Sequence, residues 1–246
     1  MSQGRVLERP ADLPEWLDPL LGRLGSLRTE DFPALRAPAG AGRPSAVLVL
    51  FGESEPSADG PGGPDLLVLQ RAATMRNHAG QPAFPGGGTD PEDADAAATA
   101  LREANEEVGL DPAGVEVLGL LPELYIPVSS FVVTPVLAWW RHPHPVHPCQ
   151  PAEVAEVARL PISELVDPGN RIRVRHRSGW IGPAFQVRGL LVWGFTAGVI
   201  STLLDIGGWS RPWQPGRIVE LPEASAPVPA GLTDAGPGGA PDEVLP

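Results

Sequence analysis

Between residues 11 and 30 the chain alternates Leu and Trp with polar residues, and Leu13, Trp16, Leu17, Leu20, Leu21 and Leu24 recur at roughly helical spacing. The pattern predicts a short amphipathic helix, packed on the main body or on a second subunit. Residues 31–45 are a Pro/Gly/Ala-rich connector. The pattern then changes. Ser45–Phe51 (SAVLVLF) is a nearly continuous apolar run of β type, as expected of a buried strand. Leu66–Leu69 is a second such run, and the polar stretch between them predicts a hairpin with a long, mobile connection. Val115–Leu120 and Phe131–Trp140, rich in Val, Leu and aromatics, predict further strands. Val157–Pro161 adds another strand and Ile162–Val166 a short helix. Ser178-Gly179 turns the chain into Trp180–Val187, and Leu191–Ala197 opens a last helix reaching about Leu204. From about Leu221 the chain is Pro, Ala and Gly with scattered acid, a composition that predicts disorder. The organisation expected is an N-terminal helix and connector over 1–44, one domain over 45–220, and a tail over 221–246.

One helix carries more than packing information. Pro91, Asp93 and Asp95 are start signals, Ala96, Ala97, Ala98 and Ala100 are strong helix formers, and Gly109 is suited to end the helix at positive φ. Glu103, Glu106 and Glu107 stand at i, i+3 and i+4, so they share one face. Three carboxylates side by side repel each other unless something positive sits between them. Hard divalent cations such as Mg²⁺ take oxygen ligands and bridge carboxylates to phosphate oxygens. Arg102 lies beside the cluster and can brace a carboxylate through a bidentate pair. Upstream stands the glycine turn Gly86-Gly87-Gly88, where a missing Cβ lets backbone approach a phosphate or metal closely. The plainer alternative is a solvated acidic helix face.

The stretch Phe84–Leu110 resembles the Nudix box, G-x5-E-x7-R-E-U-x-E-E-x-G-U with U apolar. It reads Gly88, Ala94, then Arg102-Glu103-Ala104-Asn105-Glu106-Glu107-Val108-Gly109-Leu110. Ala94 stands where the pattern has its first Glu, with Asp93 and Asp95 on either side. Residues 67–87 are similar to the additional signature of one Nudix branch, which hydrolyses coenzyme A and its derivatives. Arg71, Ala72, Met75, His78, Gly80, Phe84, Pro85, Gly86 and Gly87 fall in register; Leu69 replaces a Thr and Pro82 a Val. The proline puts local strand pairing in question. The segment from Leu121-Pro122 to Val136 resembles the same branch, with Ser130 at a usual Gly, and so does Trp193-Gly194-Phe195-Thr196-Ala197, read as core packing.

The resemblance implies the Nudix fold, an α/β (α+β) arrangement in which a mixed β-sheet is sandwiched between helices. It implies a site in which Glu103, Glu106 and Glu107, with Gly87, hold Mg²⁺ or Mn²⁺, and Glu103, Glu106 and Arg102 take part in catalysis. Arg71, His78, Gly86, Gly87 and Gly88 become candidate contacts to substrate phosphates. Many relatives place a further carboxylate in a later loop; Glu153 and Glu156 are the local candidates, with a solvated edge as the alternative.

Composition narrows the classes. The formal net charge is −12, which disfavours a nucleic-acid binder. There is no lysine, which excludes a P-loop and Schiff-base lysine chemistry. The single Cys149 has no internal disulfide partner and reads as an inert thiol. His142, His144 and His147 sit in a proline-rich loop; imidazole suits Zn, Cu or Ni rather than Mg²⁺, so an extended loop is preferred to a metal site. Arg171, Arg173, Arg175 and Arg177 alternate, predicting one cationic strand face, solvated or phosphate-binding. The N-terminus does not read as a signal peptide and no apolar stretch suits a membrane span, so a cytoplasmic location is expected.

The expected reaction is metal-dependent hydrolysis of a diphosphate linkage in a small nucleotide derivative. Coenzyme A or an acyl derivative leads, yielding 3′,5′-ADP and (acyl-)4′-phosphopantetheine. The alternatives are another nucleoside diphosphate compound (NADH, ADP-ribose, an oxidised nucleotide) and a Nudix-fold nucleotide-binding regulator without catalysis. A homodimer is typical of relatives.

Overall fold

A computed structural model of the chain describes residues 3–7, 9–32, 42–56, 62–75, 79–126 and 129–221. The tail expected beyond Leu221 lies outside them. The elements run in order β1 (Arg5–Val6), α1 (Asp18–Leu24), β2 (Arg43–Ser54), β3 (Gly63–Arg71), β4 (Pro82–Ala83), β5 (Gly86–Gly88), α2 (Ala96–Val108), β6 (Val115–Leu120), β7 (Leu124–Ile126), β8 (Phe131–Trp140), β9 (Val154–Pro161), α3 (Ile162–Leu165), β10 (Arg171–Arg175), β11 (Ile181–Val187), β12 (Leu190–Val192), α4 (Gly194–Ile206) and β13 (Ile218–Glu220).

The main sheet is mixed. Its path is β1-β6-β8-β2-β3-β4, with β8 and β2 parallel, and β9 lies antiparallel along β3. Alternate residues of the central strands enter two cores. Val49, Phe51, Leu66 and Val68 face α1, α4 and part of a second sheet; Ala46, Leu48, Leu50, Leu67 and Leu69 face Ala100, Ala104 and Val108 of α2. Both faces are apolar because both are covered, which is why β2 reads as an unbroken run. The sheet is therefore sandwiched between helices, as expected.

The second partner of β2 changes along its length. Phe51–Ser54 pair with β3, whereas Ser45–Val47 pair with β5. The chain from β4 to β5 fills the gap that opens as β3 departs, and this brings the glycine turn under α2. Pro82, with no N–H to give a ladder, is accommodated in a two-residue strand on β3. Its carbonyl accepts from Thr196 Oγ1 of α4 at 3.2 Å.

Several expectations are corrected. The N-terminal helix is shorter than its pattern: a 3-10 turn (Glu15–Leu17) precedes seven α-helical residues, because Pro14 and Pro19 flank the turn. It packs on the main body, with Leu17, Leu20 and Leu24 fully buried. The β2–β3 hairpin extends through Ser54 and from Gly63, further than the apolar runs, since ladder pairing continues past them. Leu191 and Val192 belong to β12, paired with β11, and the last helix begins only at Gly194.

The four arginines do not form one cationic face. Arg171 is 3% exposed, donates to the hydroxyls of Ser201 (3.0 Å) and Ser210 (3.1 Å), and stacks on Trp213 and Phe185. Arg177 lies past the strand in a turn. The strand pairs across the Ser178-Gly179 turn with β11 in a second sheet of order β12-β11-β10-β13, whose outer strands β12 and β13 no local pattern announced. Among the described residues no helix is long and apolar enough to cross a membrane.

Leu24→Ala empties a fully buried position shared by α1 and the sheet, so denaturant unfolding is expected to show a loss of about 3 kcal/mol. A loss under about 1 kcal/mol would mean that α1 is not part of the cooperative core.

Candidate active site

The site starts from the glycine turn. Gly86 has φ +155°, and a Cβ there would run into the Ala46 carbonyl and Val47 Cα of β2. At Gly87 the space of a Cβ is taken by the Glu103 carboxylate. Gly88 differs from its neighbours: a Cβ would meet open space, and its contribution is the carbonyl oxygen, which accepts from Arg102 Nη2 at 3.0 Å.

α2 begins where its caps dictate. Asp95 accepts from the Ala98 N–H at 2.9 Å, and Gly109 closes the helix at φ +71°. With Ala100, Ala104 and Val108 turned to the sheet, the three glutamates fall along the flank beside the turn. Glu107 is buried, and its Oε2 accepts from the Gly86 N–H at 2.9 Å. Glu103 is half-buried and Glu106 exposed. Burial pushes the Glu107 carboxyl up to about 7; the Gly86 N–H and the charge of Arg71 oppose the rise, while Glu103 and Glu153 add to it. Burial also raises Glu103, against the pull of Arg102.

Arg102 is the hub of the cluster. Nη1 reaches Glu103 Oε1 (3.1 Å) and Glu106 Oε2 (3.3 Å). Its other edge makes a bidentate pair with Asp93, Nε to Oδ1 at 3.0 Å and Nη2 to Oδ2 at 2.9 Å. Asp93 also accepts from the Asp90 N–H and Thr99 Oγ1, both at 2.9 Å. Arg102 above all holds the Asp93 carboxyl far below the usual carboxylate range. The vacancy left by Ala94 is thus filled from the preceding position. The signal was present as an acid next to the missing Glu, but only the loop's path shows which neighbour turns inward.

The remaining candidates divide. Arg71 ends β3; it donates to Met75 Sδ at 3.1 Å, and its Nε is buried without a partner among the described residues. His78 lies outside the described residues. Glu153 sits in the turn before β9, where its charge acts on Glu107 and its carbonyl accepts from the Ala72 N–H at 2.7 Å. Glu156 is on β9 opposite Gln70, hence on the other face from Leu69, which packs under α2. The structure brings Glu153 to the α2 carboxylates and leaves Glu156 apart. His144 Nε2 accepts from the Asp111 N–H at 3.0 Å with its ring edge on Trp140. Among the described residues, no three His, Cys, Asp or Glu side chains are gathered as a ready-made ion cage. Glu103 and Glu106 turn to Arg102, and Glu107 to the Gly86 amide. The donor set, all carboxylate and carbonyl oxygen with charge only partly balanced, suits a hard divalent cation that shares these oxygens with Arg102.

A family model described as NUDIX domain matches residues 42–178, the span that holds the glycine turn, α2 and Glu153. The chain belongs to the Nudix family. Nudix hydrolases generally use divalent metals such as Mg²⁺ or Mn²⁺ and act on small nucleotide derivatives. The chain is similar to proteins described as uncharacterized Nudix hydrolase NudL. The one from Citrobacter koseri is 43% identical over 152 residues, 58% of this chain and 76% of the relative. The one from Klebsiella aerogenes is 46% identical over 127 residues, 52% of this chain and 96% of the relative. Among solved structures, the crystal structure of a Nudix hydrolase from M. smegmatis, RenU, matches at 24% identity and a TM-score of 0.40, covering 50% of this chain and 73% of that one.

Because the folded carboxyl of Glu107 titrates above its ordinary value, the metal-free Nudix protein loses stability as pH rises from about 4.5 to about 7 and carries the whole cost above that range. Glu107→Gln keeps an acceptor for Gly86 and removes the charge. Unfolding without divalent metal is expected to show it more stable than wild type at pH 8, by up to about 3 kcal/mol, with the gap closing below pH ~4.5. Asp93→Asn should behave oppositely, destabilising at neutral pH, with a gap that closes only as strongly acidic solution protonates the wild-type carboxylate.

Proposed function

We propose that the chain is a metal-dependent diphosphatase whose substrate is coenzyme A or an acyl derivative, cleaved to 3′,5′-ADP and (acyl-)4′-phosphopantetheine. The observation that carries this reading is the meeting at one glycine turn of Glu107, which accepts from the Gly86 N–H, and Glu103, whose carboxylate lies against Gly87, with the charges of Arg71 and Glu153, from two other parts of the chain, acting on Glu107. The coenzyme A branch is favoured by the register of Arg71, Gly80 and Phe84–Gly87 with its signature. Ser130 adds support: at a position where that branch has Gly, it holds φ +54°.

Glu103, Glu106 and Glu107, with the Gly87 carbonyl, would hold Mg²⁺ or Mn²⁺. A cation there neutralises diphosphate charge and acidifies water. The chain's own residues do the rest. Arg102 keeps Glu103 and Glu106 at a set spacing and ties them to the turn. The buried Nε of Arg71, with no acceptor among the described residues, is available to a phosphate oxygen. The backbone of Gly86–Gly88 lets a phosphate approach without a side chain in the way. One carboxylate of the group accepts the proton of the attacking water, with Glu103, Glu106 and Glu153 as the candidates. Water adds to one phosphorus, the bridging oxygen leaves with the other, and two phosphomonoesters result.

The test is cleavage of coenzyme A by the purified protein with Mg²⁺ or Mn²⁺, products identified by mass. Wild type is expected to release 4′-phosphopantetheine, and Glu107→Gln to lose at least ~100-fold. Inertness on coenzyme A with cleavage of NADH or ADP-ribose would move the substrate to another nucleoside diphosphate. No cleavage of any of them would leave a nucleotide-binding protein. Single Gln substitutions at Glu103, Glu106 and Glu153 separate ligand from base: a lost ligand weakens Mn²⁺ binding, a lost base lowers kcat alone.

A further inference from the structure

The carboxylate cluster sits at the wrong end of its helix. Glu103, Glu106 and Glu107 occupy the last two turns of α2, where the helix dipole is negative and the final carbonyls have no partners within the helix. Gly109 deals with one of these, its N–H donating to Asn105 O. The carbonyls of Glu106, Glu107 and Val108 remain. A distant piece of chain meets all three. The His147 N–H donates to Val108 O (3.2 Å), the Cys149 N–H to Glu107 O (2.9 Å), and Gln150 Nε2 to Glu106 O (3.4 Å).

This is the second half of the proline-rich loop. Its first half is anchored just beyond the helix, by the His142 N–H on Gly114 O and by His144 on the Asp111 N–H. Downstream, Gln150 O accepts from the N–H groups of Glu153 and Val154 at 2.8 Å each, so the same strap delivers Glu153. Glu107 is consequently held at both ends, its main chain by Cys149 and its carboxylate by Gly86.

We infer that residues 147–150 are a positioning strap for the carboxylate site: by donating three hydrogen bonds to the C-terminal carbonyls of α2, the strap offsets the helix's negative end and holds Glu106 and Glu107 in the spacing that binds a divalent cation. The inference rests on the reading of these carboxylates as the cation ligands. It assigns the role to the Cys149 amide, with no part for the thiol.

Proline at position 149 deletes that amide, and alanine keeps it. Mn²⁺ affinity is measured calorimetrically on the full chain, with circular dichroism to establish folding and kcat and KM on whichever diphosphate wild type cleaves. Cys149→Pro is expected to lose about tenfold in Mn²⁺ affinity, with kcat reduced and KM unchanged, while Cys149→Ala matches wild type. Gln150→Leu, which removes the donor to the Glu106 carbonyl without adding charge, should weaken Mn²⁺ binding in the same way, and decides the matter if the proline variant does not fold. A strap that only stabilises the fold would lower the unfolding temperature and leave Mn²⁺ affinity intact in every folded variant; that result overturns the inference, as does an alanine variant as weak as the proline one. Mn²⁺ binding by wild type without cleavage of any diphosphate would sink the proposed function alone. Failure of wild type to bind Mn²⁺ would sink both.

Discussion

Three carboxylates on the flank of a helix that lies against an apolar sheet repel each other strongly, and Arg102 is the countercharge that makes the arrangement tolerable. A bidentate pair with Asp93 holds the guanidinium in place, so its reach toward Glu103 and Glu106 is set by a loop that precedes the helix. The same group bonds the Gly88 carbonyl. Loop, turn and helix are therefore one electrostatic unit. Its negative charge remains in excess, since Asp93, Glu103 and Glu106 share the one guanidinium, and burial displaces Glu103 and Glu107 upward. A site with spare negative charge and oxygen donors is suited to a divalent cation, and a cation is also what would relieve it.

The sheet supplies the precision. β2 gives its C-terminal half to β3 and its N-terminal half to β5, and only this division places the glycine turn within hydrogen-bonding distance of Glu107. Gly86 and Gly87 are required there for different reasons: one has a strand backbone against it, the other a carboxylate. The glycine turn beside the α2 carboxylates is thus built on paired backbone rather than on a free loop. That limits the reorganisation needed when charge develops in the reaction.

Elements outside the box support it from a distance. α4 holds the β4 carbonyl at Pro82, and α1 fills the sheet face opposite α2, so α2 rests on a sheet that is itself backed on its far side. Arg171, cationic and almost wholly buried, spends its charge on two hydroxyls and two aromatic faces within the second sheet and its flanking loop. An alternating pattern of arginines cannot reveal that use, because it depends on what α4 and the loop after it bring alongside.

The sequence by itself determined what depends on neighbours along the chain. Asp95 and Gly109 set the limits of α2, the i, i+3, i+4 spacing put three glutamates on one face, an unbroken apolar run marked β2 as a buried strand, and Val, Leu and aromatic content marked β8 as a strand. The Nudix resemblance, carried by a short local pattern, was legible for the same reason. Tertiary structure alone decided which residues far apart in the chain, or adjacent but pointing different ways, would meet. It chose Asp93 over Asp95 as the partner of Arg102, and Glu153 over Glu156 as the carboxylate near Glu107. It made a strand of Leu191–Val192, whose apolar character fits a helix equally well until β11 pairs with it. Hydrogen bonds from a proline-rich loop to the end of α2 leave no trace in local pattern, since the donors are main-chain amides that every residue but proline possesses.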